Sequence, residues 1–222
     1  MRIIVGYVMT KKCKWMLCGV FAVLFFVSVV LVTCVDVADV GPQGTEVGMS
    51  TVNKAVADAI GFNETIYKVS DILGYMSIVT VVAYAADGLI QLIKCKSLLK
   101  VDREVIALGV LYLIIFILYV AFEFVVVNYR PVIMPGETAP EASFPSSHTL
   151  MTCVVMAGAV LAAKSQIASK KLRTVVQVAC VAVMVLTVVF RFMSGVHWFT
   201  DIVSSLLLSA ALVFAYSAAA EK

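Results

Sequence analysis

Charge is what this chain has least of. Only 14% of its 222 residues are Asp, Glu, Lys or Arg, while 62% are hydrophobic and the mean hydropathy is +1.03. A soluble domain carries about 25% charged residues, so a water-soluble globule and a disordered polar chain are both excluded. Histidine is scarcer still, with two in the whole chain, His148 and His197, which leaves little material for a histidine-rich metal centre. The six cysteines, at 13, 18, 34, 95, 153 and 180, show neither disulfide-framework nor zinc spacing. They are read as small apolar fillers. There is no internal repeat, no low-complexity tract and no long polar linker, so residues 1–222 are expected to form a single domain.

What is present is a series of long apolar runs. A membrane-crossing helix needs roughly 20 apolar residues, and six runs qualify or nearly so: 15–35, 69–93, 104–127, 148–163, 174–194 and 197–219. The fourth reaches spanning length only if its helix starts at Ser146 or Ser147. The fold expected is therefore all-α, a six-transmembrane helical bundle. The first run exceeds the 7–15 apolar residues of a signal-peptide core, and is read as a retained helix. Residues 1–10 find no role.

The net charge of +3 does not point to nucleic acid, because of where the charge lies. Lys11, Lys12 and Lys14 precede the first run, Lys94, Lys96, Lys100 and Arg103 separate the second from the third, and Lys164, Lys170, Lys171 and Arg173 separate the fourth from the fifth. By the positive-inside rule these gaps and both termini are cytoplasmic. The opposite gaps hold mainly acids, Asp36, Asp39, Glu46, Asp58, Glu64, Glu137 and Glu141. In the longest of them, 36–66, apolar residues at 52, 56, 59 and 60 predict a short helix lying on the interface. Asp87, inside the second run, is read as interfacial or structurally paired.

The same topology gathers the polar residues that need explaining. His148 opens the fourth run and His197 the sixth, so the chain crosses the membrane and returns between them, which brings both imidazoles to the outer side. Arg130 follows the third run and Arg191 ends the fifth, in that same layer. In "RFMSGVHWFTD" (191–201), His197 and Asp201 are spaced i, i+4, one turn apart on a helix face. A carboxylate there can fix the imidazole tautomer and leave the other nitrogen as a nucleophile. Gly195 permits a turn that lets Arg191 face the same pocket, with planar donors suited to phosphate oxygens. In "FPSSH" (144–148), Pro145, Ser146 and Ser147 favour a helix start, whose free N–H groups attract an anion. A metal site is the rival reading, opposed by two arginines that would repel the cation. Bis-histidine haem is another, but it requires no arginine pair. Phosphoryl chemistry accounts for more of these residues.

"NYRP" (128–131), "PSSH" (145–148) and the R-x5-H-x3-D pattern of Arg191, His197 and Asp201 resemble, in order and spacing, the three-part signature of the type 2 phosphatidic acid phosphatase (PAP2) superfamily. The signature region spans 123–201. The resemblance implies the membrane branch of that family and assigns roles. His197 would be the nucleophile that forms a phosphohistidine, Asp201 would orient it, and His148 would protonate the leaving group and then activate water. Arg130, Arg191 and Ser146 would hold the phosphate, helped by a backbone N–H near Ser147. Neither metal nor other cofactor is implied. The partners implied are a lipid phosphate and the bilayer, not nucleic acid, and the oligomeric state is left open. The setting implied is a bacterial plasma membrane with the active site facing outside.

The sequence departs from the family pattern at Glu123, where the first motif has lysine seven residues before the arginine. Pairing with Arg130 or a peripheral position is expected of it. The activity implied is hydrolysis of a lipid phosphate or pyrophosphate, such as undecaprenyl pyrophosphate, phosphatidate or phosphatidylglycerophosphate. Two alternatives stay open: a lipid phosphotransferase using the same histidines, and a non-catalytic lipid-binding relative.

Overall fold

The computed structural model describes residues 9–221; the apolar stretch that found no role lies, for residues 1–8, outside them. The described residues form seven α-helices: α1 Lys11–Cys34, α2 Ser50–Ile60, α3 Glu64–Cys95, α4 Arg103–Phe124, α5 Ser147–Gln166, α6 Lys170–Met193 and α7 Phe199–Ala220. Six of them, all but α2, are long and apolar enough to span a bilayer. No strand forms among the described residues; two isolated bridges, Ala38 with Val47 and Tyr129 with Ala142, pin the loops.

Burial ranks the helices. In α5, 61% of the apolar stretch is buried, against 6% in α1 and in α3, so α5 is the central post. Small residues make that position possible: Gly158, Ala159, Ala162 and Ala163 lie on α5, and a Cβ on Gly158 would come within 3.0 Å of Leu108 on α4. Close backbone approach through small residues is how helices pack where lipid removes the hydrophobic drive for association. Leu108, Leu111, Leu150, Val154 and Leu208 fill the space between α4, α5 and α7. Outward faces are apolar as well, with Phe26, Val82, Leu113 and Val178 exposed, as a lipid solvent requires.

The two ends of the bundle differ in charge. At one end Lys14 pairs with Glu221 at 2.9 Å, Arg173 Nη1 donates to the Lys164 carbonyl at 3.1 Å, and Ser165 contacts Glu104. This is the basic end. Asp87, near it, is paired as expected, accepting from Gln91 Nε2 at 2.9 Å. The other end carries α2 and the loops around 36–50 and 125–146.

Helix ends explain where the helices differ from the expected runs. α3 begins five residues before its expected start because Asn63 caps it, accepting from Ile66 N at 3.0 Å, and Glu64 pairs with Lys68 at 2.7 Å. A capped polar turn is helical without being apolar. At 32 residues α3 is about 48 Å long at 1.5 Å per residue, so its first turns project past a hydrocarbon core of about 30 Å. α5 starts at Ser147 with Ser146 at the N-cap, which gives it spanning length. α2 forms where expected, with Val52 exposed and Asn53 turned inward; Asn53 donates to Gly48 O at 2.8 Å and to Thr200 Oγ1 at 2.9 Å.

Candidate active site

Three loops at the end opposite the lysine-rich one bring the site together. In the α4–α5 loop, Arg130 N donates to Glu141 O and Ser143 N to Asn128 O, both at 2.9 Å. Trp198 Nε1 donates to Tyr129 O at 2.6 Å and ties this loop to the start of α7. Between α6 and α7 the chain reverses at Gly195, whose φ of +68° suits glycine, and a Cβ there would collide with the Gly61 carbonyl. Asn63 N donates to Ser194 O at 3.0 Å, so the start of α3 braces the same turn.

His197 stands in this turn. α7 begins two residues later than the expected run, at Phe199, and His197 precedes even the N-cap, Trp198. The i, i+4 relation to Asp201 therefore does not lie on one helix face. Asp201 Oδ2 accepts the backbone N–H of Trp198 at 3.0 Å, while His197 Nδ1 lies 3.6 Å away, too far for a hydrogen bond. The orienting bond expected of Asp201 is thus open, because its carboxylate caps the helix. Asp201 is fully buried beside Asn128 and Ser143. His197 is itself buried, with both ring nitrogens unpartnered. Burial pushes its pKa well below the ordinary 6.5, and the charges of Arg191 and Arg130 add to the effect. The imidazole is neutral at neutral pH, the form that can attack.

His148, in the first turn of α5, and His197 both line one cavity of about 560 Å³, together with Arg130, Ser147 and Glu123. The polar end continues into an apolar chamber walled by Ile78, Val81, Ile115, Phe116 and Val155. His148 rests against α3, where a Cβ on Gly74 would come within 2.7 Å of its Cδ2.

Other expected residues sit differently. Ser146 is fully buried and turns its hydroxyl to Thr149 Oγ1 at 3.0 Å, away from the cavity, so Ser147 is the serine on the wall. Glu123 lines the cavity but does not pair with Arg130. The carboxylate beside Arg130 is Glu141, with Nε and Oε2 3.1 Å apart, because the paired backbones of 130 and 141 set those side chains together. Arg191 is wholly buried behind the wall.

Sequence reasoning missed one residue. Asp71, in the second turn of α3, places Oδ1 2.8 Å from Arg191 Nη2 and 3.3 Å from His148 Nε2. A signal for it exists: a carboxylate within the second run, at the end where His148 and Arg191 gather. Among the described residues no group of three His, Cys, Asp or Glu side chains is set to hold a metal ion.

The PAP2 superfamily model matches residues 104–222, more than half of the chain. The chain belongs to the PAP2 superfamily. The PAP2 match covers α4 to α7 and so includes Glu123, Arg130, His148, Arg191, His197 and Asp201, but not Asp71. Among solved structures, the chain is similar to the first transmembrane PAP2 type phosphatidylglycerolphosphate phosphatase from Bacillus subtilis, with 15% identity, coverage of 90% of this chain and 94% of that one, and a TM-score of 0.62. At that identity the likeness establishes a common fold, the six-span PAP2 bundle. No curated protein sequence matches.

Proposed function

We propose that this PAP2 protein, acting as one domain over 1–222, is a membrane-embedded, metal-independent phosphatase that hydrolyses a lipid phosphate or pyrophosphate. The observation that carries this reading is the shared cavity: two imidazoles and an arginine at a polar mouth, above an apolar chamber. A phosphate fits the first and an acyl or prenyl tail the second. The similar Bacillus subtilis protein, a phosphatidylglycerolphosphate phosphatase by name, supports the reaction class.

In the reaction, His197 Nε2, the ring nitrogen turned away from Asp201, attacks phosphorus while the bond to the leaving oxygen breaks. His148 gives that oxygen a proton. Water, deprotonated by His148, then attacks the phosphohistidine, releases phosphate and restores His197. Arg130 and the N–H groups at the start of α5 neutralise the phosphoryl oxygens, and Arg191 adds positive charge from behind. Such positioning and charge compensation is most of what phosphoryl transfer requires. Asp201 fixes the turn that carries His197, and its distance shortens to a hydrogen bond as the imidazole gains charge.

The concentration of lysine and arginine at the end away from the site supports an orientation with both termini in the cytoplasm and the site outside, in a bacterial plasma membrane. The test is phosphate release by the purified protein in detergent, with chelator, from undecaprenyl pyrophosphate, phosphatidate and phosphatidylglycerophosphate. Release from at least one, unaffected by chelator, is expected. No release from any of them refutes the reading, and transfer to an added alcohol without free phosphate makes the protein a phosphotransferase.

A further inference from the structure

We propose that Asp71 is a positioning residue of this site, contributed by α3 from outside the region that the family match covers. The proposal rests on the phosphatase reading above and names a group that the reading does not use. Contacts of three kinds argue for it.

One oxygen of Asp71 serves two partners, Arg191 Nη2 at 2.8 Å and His148 Nε2 at 3.3 Å. Arg191 is fully buried, and its Nε and Nη1 have no partner. A buried guanidinium without a counter-ion is costly. Asp71 supplies that counter-ion through Nη2 alone, and so leaves Nε and Nη1 without a partner. The Tyr67 ring, one turn earlier on α3, lies under the guanidinium with 5.1 Å between Cζ and the centroid, so α3 meets Arg191 with an aromatic face as well as a charge.

The third contact is steric. Gly74, three residues after Asp71 and on the same helix face, leaves the space that the His148 ring occupies. α3 therefore seats the imidazole on Gly74 and draws its Nε2 toward Asp71. The carboxylate lines the cavity, but its two partners leave it as a support, so it acts through His148 and Arg191. Its effect falls on the geometry of the proton donor, and hence on turnover more than on capture of the lipid.

The test compares wild type with Asp71→Asn, in which the shape is kept and the charge removed. Purified full-length proteins in detergent are assayed on dioleoyl phosphatidate and the other lipid phosphates, with size-exclusion profiles as the control for folding. The expected result is a kcat lowered roughly 10–100-fold, the scale for a misplaced catalytic group, with KM changed by less than about threefold. Unchanged kcat overturns the proposal. A lower KM with kcat maintained also overturns it, since the carboxylate would then be a competitor of phosphate.

A second measurement does not depend on turnover or on the variant. With two histidines in the chain, ¹⁵N-histidine NMR of the wild type in micelles gives two imidazole sets, assigned with His148→Gln. A His148 Nε2–H protected from exchange is expected, and lost in Asp71→Ala, which removes the acceptor. A freely exchanging His148 overturns the proposal even if Asp71→Asn fails to fold. If the wild type turns over no lipid phosphate but His148 is protected, the phosphatase reading fails while the contact stands.

Discussion

His197 is held neutral by its surroundings. Its pKa lies well below 6.5 because burial and two arginines penalise the imidazolium. Under the proposed mechanism its attacking nitrogen is therefore available throughout the neutral range, and no base is needed to free it. In linkage terms the unfolded chain takes up this proton first as pH falls through about 6.5, so the stability contribution of neutral His197 is present above that value and lost below it. Histidine-detected NMR should show the His197 resonances unchanged between pH 8 and 6; a midpoint at or above 6.5 contradicts the burial argument. Under the same proposal His148 does different work. Replacing it with alanine should slow turnover by about 10²–10⁴, the usual share of a general acid, with the protein still binding its lipid. Equal kcat in wild type and His148→Ala would remove it from the mechanism.

Both histidines are legible in the sequence, because alternate crossing of a membrane forces residues after odd-numbered spans to one side. The open contact between His197 and Asp201 is not, since the i, i+4 rule presumes a helix and the helix begins only after Trp198. Ser146 misleads for a related reason. A serine at an N-cap suggests a hydroxyl free to bind, whereas this one is spent on Thr149.

Among elements, α3 contributes more than its composition suggests. As an apolar run it reads as a lipid-facing span, and most of its surface is that. Its first two turns, capped by Asn63, brace the α6–α7 turn and carry Asp71 into the site. Two glycines separate these functions. Gly195→Ala meets both a positive φ and the Gly61 carbonyl, so a loss of stability on the order of 1–3 kcal/mol is expected, visible as earlier thermal unfolding in detergent. Gly74→Ala adds its methyl against the Cδ2–Nε2 edge of the His148 ring. It should reduce kcat well before it affects unfolding; a variant with full activity would show that His148 does not depend on this seat. The pattern of runs reveals six helices to within a few residues, but not which faces meet. Facing surfaces are set by small residues such as Gly158 and Gly74, and an apolar run looks the same whether it faces lipid or protein.

The whole molecule divides into a polar mouth, an apolar chamber and a basic opposite end. If the chamber takes the lipid tail, narrowing it should penalise long tails selectively. Ile78 lies on its wall and is half exposed, so Ile78→Trp can be accommodated without rebuilding the core. KM for a long-chain phosphatidate should rise severalfold while that for a dioctanoyl analogue stays near wild type. Equal effects on both would place the tail elsewhere. Glu123, a carboxylate at the mouth, lowers the positive charge available to a phosphate and leaves Arg130, itself beside Glu141, as the cation on the cavity wall.

Catalysis through His197 is the claim on which the rest depends, and a rapid-quench experiment with a ³²P-labelled lipid phosphate addresses it directly. The protein, denatured in alkali during turnover, should retain a label that is stable to base, lost in acid, and absent from His197→Ala. A wild type that releases phosphate without any such label, or a His197→Ala protein that retains its activity, would contradict the account.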